Sequence, residues 1–281
     1  MSDRRAAEYI HGTSPTEQGR LSLLNSLLNE SCVRELSLQG TERIVDFGCG
    51  LGQFTRLMAQ KVRSQGSVVG IERDSEQLAE ALRQARQADE QDLVEFRQGD
   101  VHSPPLEKDE WETFDLAHAR FLLEHLADPL PVVQSMVRTL RPGGRIVLAD
   151  DDHDLLRIWP EPPGFLELWD AYMRSYRLNG TDPSIGRRLV SLIRSAGARP
   201  VRNTWVFLGA CAGNPNFQGF VDNLAGVILT AKDRILKGGL CSQLFFEETL
   251  GALRAWSQRP EAALWYGLCW AEGIKPPEDR P

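Results

Sequence analysis

"VDFGCGLGQF", residues 45–54, decides how this chain is read, because it sets three glycines within five positions directly behind an apolar run. Residues 43–47, Arg-Ile-Val-Asp-Phe, are β-rich and short enough to be a buried strand. Beyond the glycines, Phe54, Leu57, Met58 and Val62 recur at helical spacing. The glycines therefore stand at a strand-to-helix turn, where a missing Cβ lets a ligand lie against the main chain. Such a loop points to a nucleotide-like cofactor.

The pattern narrows which one. The dinucleotide fingerprint is G-x-G-x-x-G, whereas Gly48-Cys49-Gly50-Leu51-Gly52-Gln53 puts glutamine in the third place. Asp46 closes the strand just ahead. Its carboxylate would not help a pyrophosphate but suits a ligand carrying an ammonium and a sulfonium. An NAD-dependent reductase is disfavoured on both counts. Further polar marks end successive strands. Glu72, followed by Arg73, closes "VVGIERD", and an acid there can accept hydrogen bonds from both hydroxyls of a ribose. Asp100 closes "VEFRQGD", with its carboxylate and the Val101 amide suited to an adenine edge. "FDLAHARFLLEHLADP" ends its strand at Ala119-Arg120-Phe121. In open parallel sheets ligands bind beyond the carboxyl ends of the strands, where all these residues fall.

Strands are expected at 43–47, 67–71, 93–97, 114–119 and 145–149, with helices at 53–63, 75–89 and 130–140. This alternation implies a parallel sheet covered on both faces. Upstream, "SPTE" (14–17) reads as a helix start, and Leu21, Leu24 and Leu28 form an amphipathic stripe. After residue 150 helices are expected at about 164–178, 184–196, 216–236 and 242–257, with strands at "RNTWVFLGA" and "ALWYGLCWAEG". Phe165, Leu168, Tyr172 and Tyr176 share one helical face, which reads as core or as a lid over a ligand cleft. The division expected is a helical cap over 1–40, a cofactor-binding core over 41–153, and a remainder over 154–281 with helical acceptor-binding insertions.

Composition excludes several classes. The 281 residues are 42% hydrophobic, which suits a packed core. No stretch approaches the roughly 18 apolar residues of a membrane span, and no apolar run follows "MSDRRAAEYI" as a signal peptide requires. Five scattered cysteines argue against disulfides and zinc and favour a reducing cytosol, so a cytoplasmic location is expected. The net charge of −7, with dispersed basic residues, argues against nucleic acid.

The motifs "VDFGCGLG", "GIERD", "GDV", "FDLAHARFLLEHLADP" and "LRPGG" together resemble the class I S-adenosylmethionine-dependent methyltransferases, in particular small-molecule enzymes related to those of quinone biosynthesis. The resemblance covers about residues 40–150. It implies a Rossmann-like, doubly wound α/β fold with a seven-stranded, mainly parallel sheet and added helices forming a cap. It also implies that Asp46 and the Gly48–Gly52 loop hold the methionine end of the cofactor. Glu72 would take the ribose, Asp100 and Val101 the adenine, Arg120 would line the cofactor near its sulfonium, and Arg73 is also expected at the cofactor.

Methyl transfer from a sulfonium needs mainly positioning and exclusion of water, with a base only where the acceptor must lose a proton. His118, His125 and His153 are the candidates. His153, in "ADDDHD" after the fifth strand, is the foremost, and Tyr172 and Tyr176 are the candidate acceptor contacts. No metal is expected, since the strand-four tip His118-Ala119-Arg120 offers no carboxylate and Arg120 would repel a cation. The same tip lacks the Asn/Asp-Pro-Pro-aromatic run of base-modifying enzymes, and only Glu124 is present where arginine methyltransferases carry two glutamates. A small molecule methylated on oxygen or nitrogen is the expected acceptor. A non-catalytic S-adenosylmethionine-binding or scaffold module is the alternative. The apolar stripes in 216–257 suit either a lid or a homodimer face.

Overall fold

The structure, a computed structural model, describes Gly12, residues 14–63 and residues 65–277. Part of the expected N-terminal cap, residues 1–11 and 13, lies outside them. The opening helix α1 (Pro15–Leu36) starts where the sequence indicates, with Ser14 Oγ accepting from the Glu17 N–H at 3.4 Å and Pro15 in the first turn. The carboxylate of Glu17 binds the Arg20 guanidinium one turn on.

The chain then alternates β1 (Arg43–Phe47), α2 (Gln53–Val62), β2 (Ser67–Glu72), α3 (Ser75–Gln87), β3 (Val94–Gln98), β4 (Phe114–Arg120), α4 (Leu130–Thr139) and β5 (Leu140–Asp150). Asp74 caps α3 by accepting from the Glu76 and Gln77 N–H groups. β5 begins five residues earlier than expected, because Leu140 pairs with Phe114 ahead of a bulge. Beyond it come β6 (Arg157–Trp159), α5 (Phe165–Leu178), α6 (Leu189–Ser195), β7 (Arg199–Cys211), α7 (Phe217–Thr230), α8 (Lys232–Lys237), α9 (Gln243–Trp256) and β8 (Ala263–Ile274).

Among the described residues eight strands form one sheet in the order β3-β2-β1-β4-β5-β8-β6, with β7 on β8. β1 to β5 run parallel, and β8 is antiparallel to β5, β6 and β7. Three-residue β6 is the strand the sequence pattern does not reveal. Strand order reverses between β1 and β4, so the carboxyl ends of β1, β2, β3 and β4 frame the crevice where this architecture binds ligands.

Apolar side chains cover the sheet on both faces. Val45, Phe47, Ile71, Ala119 and Leu148 pack toward α4 and α6, and Ile44, Val68, Leu116 and Trp270 toward α1 and α2. A third cluster joins α5, α7 and α9 through Phe165, Leu168, Tyr172, Val221, Ile228, Phe246 and Trp256. The apolar stripes of 216–257 are thus largely turned inward. Arg20 donates to Asn223 Oδ1 at 2.8 Å, tying α1 to α7 over the carboxyl edge of the sheet.

Candidate functional site

A cleft of about 960 Å³ opens at the switch point. Asp46, Gly48, Cys49, Gly50, Glu72, Arg73, Asp100, Val101 and Arg120 all line it, so the structure brings nearly the whole sequence-derived set together. Gly52 is the exception. It starts α2 with φ +66°, and a Cβ on it would stand 2.4 Å from Phe96 Cζ and 3.2 Å from the Ala81 methyl, so its bare backbone serves close packing of helix on sheet. Gly50 (φ +54°) does sit in the cleft, and its N–H donates to Glu72 Oε2 at 2.9 Å.

Each carboxylate is already anchored. Glu72 Oε1 accepts from the Asp74 N–H at 2.8 Å, so one carboxylate joins the glycine loop to the start of α3. Burial raises the pKa of Glu72 from its ordinary value, opposed by these backbone donors. Asp46 accepts from Thr55 Oγ1 at 2.6 Å and pairs with His118 Nδ1 at 2.7 Å, the two residues being register partners on β1 and β4. His118 is fully buried, 5.1 Å from the Phe54 ring. The Cys49 thiol is pushed well up by burial and by Asp46 and Glu72, which makes it a poor nucleophile. Asp100 holds the backbone N–H and ring of His102.

Arg120 lies across the Phe54 ring, 4.1 Å from its centroid, and donates to Asn25 and Asn29 of α1. Its Nη1 is buried and makes no hydrogen bond. The cleft therefore offers a glycine cradle, the carboxylates of Asp46, Glu72 and Asp100, and one spare guanidinium donor. That set fits a ligand combining ammonium, carboxylate and ribose hydroxyls.

Beyond the strand-four tip lies an inner chamber of about 110 Å³ that shares Leu21, Phe121 and His125 with the cleft. Phe121 makes the turn between them with φ +54°, uncommon for a side chain of its size. The Asp150 carboxylate holds that turn, accepting from the N–H groups of Leu122, Leu123 and Asp151. The result is to aim Glu124 into the chamber, where Arg20, Asp151, His153, Trp169, Tyr172, Tyr176 and Tyr266 also face.

The acidic run 150–154 is thereby sorted. Asp150 is a buried backbone anchor, Asp151 and His153 reach the chamber, and Asp152 and Asp154 bind Arg187. His153 is held through its carbonyl by Trp169 Nε1 at 2.9 Å and through its N–H by the Pro183 carbonyl. Burial lowers its pKa, leaving neutral imidazole. Burial also drives His125 down to about 3, raises Glu124, and with the Glu124 charge pushes Asp151 up to about 7. Tyr172 and Tyr176 are fully buried with their hydroxyls 3.0 Å apart.

Sequence reasoning missed Glu124 and Asp151 as site residues. Glu124 has one signal, an acid embedded in apolar sequence, "FLLEHL"; Asp151, inside "ADDDHD", has none. The tip itself carries no carboxylate, as expected, but the turn after it delivers one four residues on.

A methyltransferase-domain family model matches residues 38–177. Residues 38–177 thus form a domain of the S-adenosylmethionine-dependent methyltransferases. The 27-O-demethylrifamycin SV methyltransferase of Amycolatopsis mediterranei is 27% identical over 259 residues, covering 89% of this chain and 85% of that protein. The demethylmenaquinone methyltransferase of Lactococcus lactis is 30% identical over 118 residues, covering 42% of this chain and 45% of its own. Two further curated relatives are matched over only 43% and 54% of their length. In fold, the chain superposes on a SAM dependent methyltransferase from Aquifex aeolicus with a TM-score of 0.52 at 18% identity, over 69% of this chain and 93% of that one. The cofactor of this methyltransferase is S-adenosylmethionine. No helix among the described residues is long and apolar enough to cross a membrane.

Proposed function

We propose that this methyltransferase transfers a methyl group to an oxygen or nitrogen of a small-molecule acceptor seated in the inner chamber, with His153 activating that acceptor. The observation carrying this reading is the chamber itself, a largely apolar pocket with a few polar groups turned into it, which opens beside the cofactor cleft across Phe121 and His125. Bound S-adenosylmethionine supplies an electrophile already activated by its sulfonium charge.

The protein's part is then placement. Asp46, the Gly48–Gly50 turn and Arg120 take the methionine end, Glu72 with Arg73 the ribose, and Asp100 with the Val101 amide the adenine. The helices α1, α5 and α7 wall the chamber, and effective molarity can supply several kcal/mol. His153 presents a neutral imidazole to the acceptor, framed by Glu124 and Asp151. Tyr172 and Tyr176 shape the wall that selects it.

The relatives named above act, by their names, on 27-O-demethylrifamycin SV and demethylmenaquinone, which supports a small molecule as the acceptor. The test is formation of S-adenosylhomocysteine with a panel of phenols, amines and carboxylates, in wild type and His153→Ala. Accumulation with one class, lost in the variant while cofactor affinity stays, supports the reading. Cofactor binding without turnover on any of the panel, and without product in the producing cell's extract, returns the chain to a non-catalytic binding module.

A further inference from the structure

Glu124, Asp151 and His153 each offer one ligand atom, and the three atoms lie within 4.8 Å of one another. Glu124 and His153 are 3% and 5% exposed. Glu124 Oε2, Asp151 Oδ1 and His153 Nε2 are all buried and none makes a hydrogen bond. Three polar atoms converging unpartnered inside a chamber is a costly arrangement unless something donates to them all.

Tyr266 Oη lies 3.2 Å from His153 Nδ1, so that ring nitrogen is already engaged. The other, Nε2, sits 3.3 Å from Glu124 Oε2. A cation held between an imidazole lone pair and a carboxylate oxygen is attracted by both.

The separation discriminates between cations. Ligand bonds of about 2.1–2.2 Å spanning that gap subtend about 97–104°, between octahedral and tetrahedral values. An ammonium at about 2.8 Å from each atom would need donors only about 72° apart, far below the roughly 109° of its N–H bonds. We infer that Glu124, Asp151 and His153 hold a divalent metal ion, of the kind that accepts mixed carboxylate and imidazole ligands, such as Mn²⁺ or Zn²⁺.

This revises the expectation of a metal-free site, whose basis was the strand-four tip. Arg120 lines the outer cleft, with its Nη2 held by Asn25 and Asn29 of α1, while the carboxylate comes from the turn beyond. Arg20 is the cation facing the chamber, and Glu17 neutralises it. Three protein ligands leave positions open for an acceptor hydroxyl. Its O–H bond would break heterolytically on the ion, the proton passing to solvent and the oxygen keeping the pair that attacks the methyl group. His153 then activates the acceptor as a ligand. This use of the ion rests on the methyl-transfer reading; the site does not.

The experiment is Mn²⁺ titration of the chelator-stripped full chain, followed by electron paramagnetic resonance and calorimetry, with S-adenosylhomocysteine affinity measured in parallel. One Mn²⁺ per chain is expected, weakened at least a hundredfold by Glu124→Gln and by Asp151→Asn and unchanged by Asp154→Asn, whose carboxylate binds Arg187 outside the chamber. Both key substitutions are isosteric, and retained S-adenosylhomocysteine binding certifies the fold. Absence of saturable binding of Mn²⁺ or Zn²⁺ overturns the inference. So does binding that survives both substitutions, or stabilisation by methylammonium in place of the metal. Metal binding in a chain that fails to bind S-adenosylhomocysteine would leave the cation site standing and remove the proposed function instead.

Discussion

Replacing Glu72 by alanine tests the cofactor cleft at its most connected residue. The carboxylate accepts one backbone N–H on each oxygen, from Gly50 at 2.9 Å and Asp74 at 2.8 Å. Each oxygen keeps a second lone pair, the pair of acceptors that two ribose hydroxyls require. Hydrogen bonds to a charged group contribute about 1.5–3 kcal/mol. Water replaces part of what is lost, so a net loss of about 1.4–2.7 kcal/mol is expected for the ligand, a ten- to hundredfold rise in Kd. S-adenosylmethionine and S-adenosylhomocysteine share the ribose, so both should weaken by a similar factor. Glu72→Gln keeps one acceptor oxygen and should fall between, near tenfold. Calorimetry on both ligands, with circular dichroism confirming the fold, reads the outcome. If Glu72→Ala leaves both affinities within about twofold of wild type, the carboxylate serves only to tie Gly50 to α3, and the ribose assignment is wrong.

S-adenosylhomocysteine at about a hundred times its Kd should stabilise the fold by about 2.7 kcal/mol in a thermal melt, and NAD at the same concentration should not; equal stabilisation would reopen the cofactor assignment. Gly52→Ala should lower the melting temperature, because its Cβ meets Phe96 at 2.4 Å, while the folded protein binds S-adenosylhomocysteine within a few fold of wild type. A large affinity loss at unchanged stability would put Gly52 at the ligand after all. Tyr172→Phe keeps the volume of a fully buried ring and removes its hydroxyl, so turnover of an identified acceptor should drop at least severalfold with cofactor affinity unchanged. Equal loss of both would make Tyr172 a core residue and no more.

Much of the cofactor cleft is legible in the sequence because each part is local. A strand end, a glycine turn and the first helical turn are contiguous, and the pattern of residues 43–62 states all three. Asp46, Glu72, Asp100 and Arg120 each close or follow a strand, and a parallel sheet brings strand ends to one edge whatever else the chain does. Gly52 is the instructive case. A glycine in a ligand loop and a glycine under a neighbouring helix look alike until the Phe96 ring is seen above it.

The inner chamber was decided by tertiary structure alone. Its residues come from α1, the turn after β4, the loop after β5, α5 and β8, and no spacing in the chain relates Arg20 to Glu124 or Tyr266. In "ADDDHD" five polar residues in a row carry no periodicity, so nothing local says which acid is buried. Direction was set instead by what each met: backbone N–H groups for Asp150, Arg187 for Asp152 and Asp154, the chamber for Asp151 and His153. Burial, which perturbs these groups and leaves their lone pairs unpartnered, is a property of packing at a distance, and sequence near a residue does not determine how deep that residue will lie.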